Sequence, residues 1–174
     1  MEKRAKIIVD VEADGPCPGL YSMVSFGAVV LDRYGHFNQT FYGQLRPMTD
    51  NYIPDALKVS GFSREETMEF PEPKETMEKF SNWLSKESKG KPFFLSDNNG
   101  FDWQFMNYYF HFHLQHNPFG HSSTNIGSLY KGMEKNMFAN FKHLRKTKHT
   151  HHPVDDAKGN AEVLLAMTKK GLKI

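Results

Sequence analysis

Lys6-Ile7-Ile8-Val9-Asp10-Val11-Glu12 is the stretch on which the fold turns. Its apolar, β-branched opening reads as a central strand covered on both faces. The strand ends in two acids two positions apart, so in extended chain both side chains leave the same face. Carboxylates converging where a core ends cannot both ionise cheaply without a cation between them. Hard oxygen donors select Mg²⁺ or Mn²⁺ over softer metals. Asp-x-Glu alone is a weak signal, because exposed strand ends often carry such pairs. Its position strengthens it, since open α/β sheets place their sites at the carboxyl ends of central strands.

Downstream, residues 13–19 hold two Pro and two Gly and read as a loop. Tyr21 to Asp32 and Gly35 to Leu45 read as two further strands joined by a turn at Arg33-Tyr34-Gly35, which makes an antiparallel meander of three. The middle third turns helical over Pro54 to Ser60, Ser63 to Phe70 and Pro73 to Lys86, with Ser63 and Glu66 spaced as a capping box. Pro92 to Leu95 reads as a strand and Ser96 to Gly100 as a turn. A helix from about Phe101 to Gln115 follows, with Phe101, Phe105, Tyr108 and Phe112 on one stripe. Ser122 to Ile126 is a candidate fifth strand, and a weak helix spans Ser128 to Lys135. Asp155 or Asp156 opens a last helix that Gly171 closes. This order predicts an α/β fold, a mixed sheet flanked by helices.

The bulk numbers suit that reading. A chain of 174 residues, 39% apolar with fifteen Phe and seven Tyr, is expected to form one domain over residues 1–174 with a sizeable core. No apolar run approaches the ~20 residues that span a bilayer. The residues Met1-Glu2-Lys3-Arg4-Ala5 run straight into the first strand without a signal-like pattern, and Cys17 has no pairing partner. The cytoplasm is the default address. The net charge of +2 does not announce a nucleic-acid binder, but between Lys131 and Lys148 six basic residues face the single acid Glu134. That segment reads either as a solvated basic loop or as a phosphate track.

Two further clusters carry candidate chemistry. Asp102 lies just after a strand and at a helix start, where a carboxylate also serves simply to complement the helix dipole. His151 precedes Asp156, again at a helix start, and histidine adds a proton acceptor that titrates near neutrality. His143, His149 and His152 crowd the same region and raise a zinc-hydrolase alternative. Zinc sites favour spaced ligands on regular structure, whereas these histidines sit in a basic loop with no partner cysteine.

Three segments together resemble the exonuclease motifs of the Asp-Glu-Asp-Asp, histidine-type (DEDDh) 3′–5′ exonucleases: Ile8-Val9-Asp10-Val11-Glu12 with Gly15 and Pro18, Asn98-Asn99-Gly100-Phe101-Asp102, and His151-His152-Pro153-Val154-Asp155-Asp156-Ala157. This family includes ribonuclease T, oligoribonuclease and polymerase proofreading subunits. The match spans nearly the whole chain in order. Its frames select Asp102 over Asp97, His151 over His152 and Asp156 over Asp155. The tyrosine-type branch would need Tyr at position 152. Departures are the absence of an acid in Met23-Val24-Ser25-Phe26-Gly27 and Pro153 in place of a small Ala. Ser25 is similar to its counterpart in the short exoribonucleases of the RNase AS type.

The resemblance implies an RNase H-like fold with a central five-stranded sheet and two divalent ions, Mg²⁺ or Mn²⁺. Asp10 would bridge both ions, Glu12 and Asp156 would complete one site, and Asp102 would help hold the other. His151 would take the proton of the attacking water. The products would be nucleoside 5′-monophosphates released from single-stranded 3′ ends, RNA favoured over DNA, with no membrane partner. Family members often dimerise. Ala13 and Asp14 lie where relatives offer backbone amides to the terminal sugar. Phe26 and Trp103 are candidate base-stacking rings, each base worth ~1–3 kcal/mol, and Lys146 belongs to the candidate phosphate track. The rival reading is a catalytically silent RNase H-like domain that binds nucleic acid or a protein. The five residues Asp10, Glu12, Asp102, His151 and Asp156 argue against it, because a binding-only domain has no use for all of them.

Overall fold

The computed structural model describes residues 4–174, so the expectation about the first residues falls partly on Met1–Lys3, outside the described residues. Strand β1 (Lys6–Ala13) lies at the centre of a five-stranded sheet ordered β3-β2-β1-β4-β5. Its partners are β2 (Met23–Val30), antiparallel to it, and β4 (Phe93–Ser96), parallel. β3 (Thr40–Gln44) extends the antiparallel side and β5 (Ser123–Asn125) the parallel side. The expected mixed sheet is therefore present. The third strand is shorter than its sequence suggests, because Gly35 and Phe37 both adopt positive φ and hold the connection out of the ladder.

Alternation along β1 divides the interior into two cores. Ile7, Val9 and Val11 face α3 (Pro73–Glu87) and α4 (Asn99–Leu114), where they meet Phe26, Phe80, Phe105 and Phe110. Ile8 faces the other way, into a core completed by α5 (Ile126–Met133) and α6 (Pro153–Lys169) through Ile126, Ala157, Ala161 and Leu164. Asp10 and Glu12 share the parity of Ile8 and so leave the sheet on the α6 face. Two short helices, α1 (Pro54–Val59) and α2 (Arg64–Met68), connect the halves, and Ser63 and Glu66 form the expected capping box. Among the described residues no helix is long and apolar enough to cross a membrane.

Helix boundaries differ in ways that matter for the site. α4 begins at Asn99 and not after Gly100, and its buried face is Asp102, Phe105, Met106, Tyr109 and Phe110. The stripe expected through Tyr108 and Phe112 is rotated: Phe112 is exposed and Tyr108 half-buried. A helix with aromatics on every side has no polar face to orient it, so its periodicity points nowhere. α6 starts at Pro153, placing Asp155 and Asp156 in its first turn, where the helix dipole favours carboxylates.

Candidate active site

The site forms where the α6-side core runs out. Asp10 lies opposite Gly27 in the β1–β2 ladder and Glu12 opposite Ser25. A side chain at Gly27 would overlap the backbone of Pro153 and Val154, so this glycine lets the start of α6 rest directly on the sheet. That close approach brings Asp156 to the strand end, and carboxylate oxygens of Asp10, Glu12 and Asp156 lie within 4.8 Å of one another. Asp102 arrives from α4. The β1–β4 pairing ends at Ile8↔Leu95, and beyond it the Val11 amide donates to Asp102 Oδ1 at 3.0 Å.

Electrostatics record the crowding. Burial, then the charges of Asp102, Glu12 and Asp156, push the Asp10 carboxyl well above the ordinary range, against the opposing pull of Arg145. Burial followed by Asp156 and Asp102 raises Glu12 to about 7. Asp102 is also raised to about 7, chiefly by burial, although its hydrogen bonds to Ser96 and Val11 pull the other way. The pull of Arg145 does not offset the rise at Asp10. Three converging hard oxygen donors, held close but short of charge compensation, fit a divalent cation of the Mg²⁺ class.

His151 stands at the mouth. Its Nδ1 is 4.0 Å from Glu12 Oε1 and its side chain is 48% exposed. Its backbone is left-handed, with φ of 60°, a conformation costing on the order of 1–3 kcal/mol outside glycine. The Asp156 carboxylate offsets this by accepting from the Thr150 and His151 amides at 3.3 and 3.0 Å. The neighbouring candidates go elsewhere. Asp155 lies outside the cluster, near the Thr150 hydroxyl, and the His152 ring rests 4.8 Å from that of Tyr42. Asp97, half-buried, is likewise outside it.

Several expected substrate contacts need correction. Phe26 is fully buried between Phe41 and Phe80, so it is a core residue and cannot stack a base. Asp14 is buried too. Its amide donates to Ser22 O at 2.9 Å, while its carboxylate accepts from the Ser22 amide and pairs with Arg64 at 3.0 Å, leaving no amide for a sugar. Ala13 is 6% exposed beside a β-bulge. Trp103 is half-buried with its ring 4.9 Å from Phe94. Lys146 remains an exposed side chain whose backbone amide is anchored on Glu162.

Two residues beside the carboxylates are not among the expected exonuclease site residues, although His149 is one of the late histidines of the zinc alternative. Arg145, counted with the basic loop, turns inward: Nη2 donates to the Asp156 carbonyl at 2.8 Å and lies 3.6 Å from Oδ1, with Gly159 making room for the guanidinium. His149 Nδ1 lies 2.7 Å from Asp156 Oδ1. The available signals were an arginine among lysines and a histidine two positions before His151.

A carboxylate cluster at the end of a central strand, inside a mixed sheet covered by helices, is an arrangement suited to metal-dependent hydrolysis. A family model described as "Exonuclease" matches residues 7–164. The chain is 38% identical over 135 residues to the Escherichia coli 3′-5′ DNA exonuclease Cap18, covering 76% of this chain and 71% of that protein. Its fold is similar to the nuclease domain of 3′hExo, a DEDDh family member bound to rAMP, with TM-score 0.74 at 16% identity, covering 98% and 96% of the two chains. It is also similar to the 3′-exonuclease that recognises the 3′ end of a histone mRNA stem-loop, with TM-score 0.77 at 17% identity, covering 96% and 64%. The chain belongs to the exonuclease family and is a 3′–5′ exonuclease of the DEDDh type.

Proposed function

We propose that this chain shortens single-stranded nucleic acid from its 3′ end to nucleoside 5′-monophosphates, with Asp10, Glu12, Asp102 and Asp156 holding two Mg²⁺ or Mn²⁺ ions and His151 as general base. Such ions, when bound, stabilise the entering and leaving oxygens of an in-line phosphoryl displacement. Asp10, the carboxyl on which Asp102, Glu12 and Asp156 all act, would hold the ions together with them. Glu12 and Asp156 complete the side nearer His151, and Asp102, tied to Val11, supports the other. His151 is half-exposed beside Glu12, where its ring can turn toward a water held on that side and accept its proton. Arg145 steadies Asp156 from behind, and Lys146 with Lys142 and Lys148 gives the incoming backbone a basic approach.

The observation that carries this reading is the convergence of Asp10 and Glu12 of the first motif with Asp156 of the third, with His151 at the edge. For the sugar, the sequence reading favours RNA, but the 38% identity to a protein named as a DNA exonuclease supports single-stranded DNA as the substrate.

The deciding experiment incubates the protein with 5′- and 3′-labelled DNA and RNA single strands, with Mg²⁺, with Mn²⁺ and with chelator. Expected are ladders shortening from the 3′ end, mononucleotide product, faster turnover of DNA and silence in chelator. Internal cuts, or full activity in chelator, overturn the mechanism. Faster turnover of RNA overturns only the sugar assignment.

A further inference from the structure

Two triads share Asp156. One is the all-oxygen set Asp10, Glu12 and Asp156; the other is His149, His151 and Asp156, whose donor atoms also lie within 4.8 Å of one another. Their chemistry differs. The first offers hard oxygens, the second two imidazoles and one carboxylate, a three-ligand set of the kind that takes Zn²⁺ and leaves a fourth position to solvent. The second is already close to assembled: His149 Nδ1 is 2.7 Å from Asp156 Oδ1, and the two imidazole centroids are 4.2 Å apart. Donors around a tetrahedral zinc stand about 3.3 Å from one another, given bonds of about 2.0–2.1 Å. Both rings are exposed, so they can rotate onto an ion without disturbing the core.

We infer that His149, His151 and Asp156 form an inhibitory zinc site, in which a bound Zn²⁺ takes the His151 imidazole and the Asp156 carboxylate away from the hydrolytic centre. A nitrogen-containing set binds Zn²⁺ in preference to Mg²⁺ or Mn²⁺, so zinc acts at concentrations well below those of the working ions. Zinc thus enters as an inhibitor of the hydrolysis and not as the ion that drives it. His149, outside the residues proposed for catalysis, sets the sensitivity. The binding site stands on geometry alone, whereas its inhibitory effect rests on the exonuclease reading.

The test uses the full chain with Zn²⁺ as the probe, followed by calorimetry, and Co²⁺ as a spectroscopic reporter of tetrahedral nitrogen ligation. Zinc inhibition is measured in parallel on 5′-labelled DNA in excess Mg²⁺. His149→Ala is expected to weaken Zn²⁺ binding by about tenfold or more and to shift the inhibition midpoint equally, each midpoint being read against that variant's own zinc-free rate in Mg²⁺. His149→Gln keeps a hydrogen-bonding side chain near Asp156 but is a poor zinc ligand, and should behave as His149→Ala does. His152→Ala should leave zinc affinity as in the parent. Parental zinc affinity in both His149 variants overturns the proposal, as does loss of zinc binding in Asp10→Asn with retention in His149→Ala. Turnover supported by Zn²⁺ alone and abolished by His149→Ala also overturns it, making zinc the catalytic ion. Should no metal support digestion, the exonuclease reading fails while calorimetry still decides whether the site exists.

Discussion

The two faces of β1 come from one strand and do opposite work. On the α3/α4 face, Ile7, Val9 and Val11 meet a layer of rings in which Phe80 contacts Phe26, Phe41 and Phe110 at centroid separations of 4.8 to 5.7 Å. On the α6 face the same alternation runs from Ile8 into Asp10 and Glu12, and apolar packing gives way to unneutralised carboxylates. The first face holds the sheet rigid. The second uses that rigidity to keep like charges together until cations join them.

The sharpest way to break this contrast is one substitution on each face. Asp10→Asn should reduce hydrolysis to background on labelled single strands, yet raise the melting temperature in chelator, because it removes the charge most disfavoured by its surroundings. Equal or lower stability would mean that the carboxylates are not in conflict. Phe80→Ala should do the reverse, costing about 3–5 kcal/mol in denaturant melts while folded molecules still turn over in Mg²⁺.

Gly27→Ala probes the joint between the faces. Its methyl group meets the Pro153–Val154 backbone, so α6 must retreat and carry Asp156 with it. We expect the Mg²⁺ concentration for half-maximal activity to rise by about tenfold or more, with a smaller loss of stability. Unchanged metal dependence would show that α6 tolerates the shift.

Proton linkage gives the next effect in size. Glu12 and Asp102 sit at about 7 in the fold, against about 4 for unperturbed carboxylates. Between those values the folded chain holds more protons than the unfolded one, so metal-free stability is greatest below about pH 4 as far as these groups go and is lost as pH rises toward about 7. Divalent ions bind the ionised form. Their gain in melting temperature should therefore be larger at about pH 8 than at about pH 6, with each kcal/mol worth about 2–4 °C in a chain of this size. A metal-induced gain that is larger at the lower pH would contradict the assigned shifts. Smallest of all, Lys146→Ala should leave turnover at saturating substrate intact and reduce the slope of log affinity against log salt by about 1.

Much of this was legible in order along the chain. The β-branched run ending in Asp10 and Glu12, the capping box at Ser63, and the helix starts carrying Asp102 and Asp156 all depend on local spacing, which the backbone obeys. The resemblance to the DEDDh motifs named Asp10, Glu12 and Asp156, which the fold brings together, along with Asp102 and His151. Direction was the gap. Phe26 looked available because a residue on β2 gives no sign of which layer covers it, and α3 buries it completely. Asp14 looked like a sugar contact, although Ser22 and Arg64, eight and fifty residues away, engage it. Arg145 looked like one more phosphate ligand until Gly159 gave it a place against α6.

By itself, then, the sequence determined the strand-and-helix order, because alternation, capping and helix dipoles act over a few residues, and its resemblance to the DEDDh motifs chose among neighbouring carboxylates. Tertiary structure alone decided that Gly27 admits α6 to the sheet, that Asp156 meets Asp10 there, and that His149 joins His151 on the same carboxylate. Those are contacts between segments separated by more than a hundred residues, or between loop side chains aimed by such a contact, and local spacing carries no information about them.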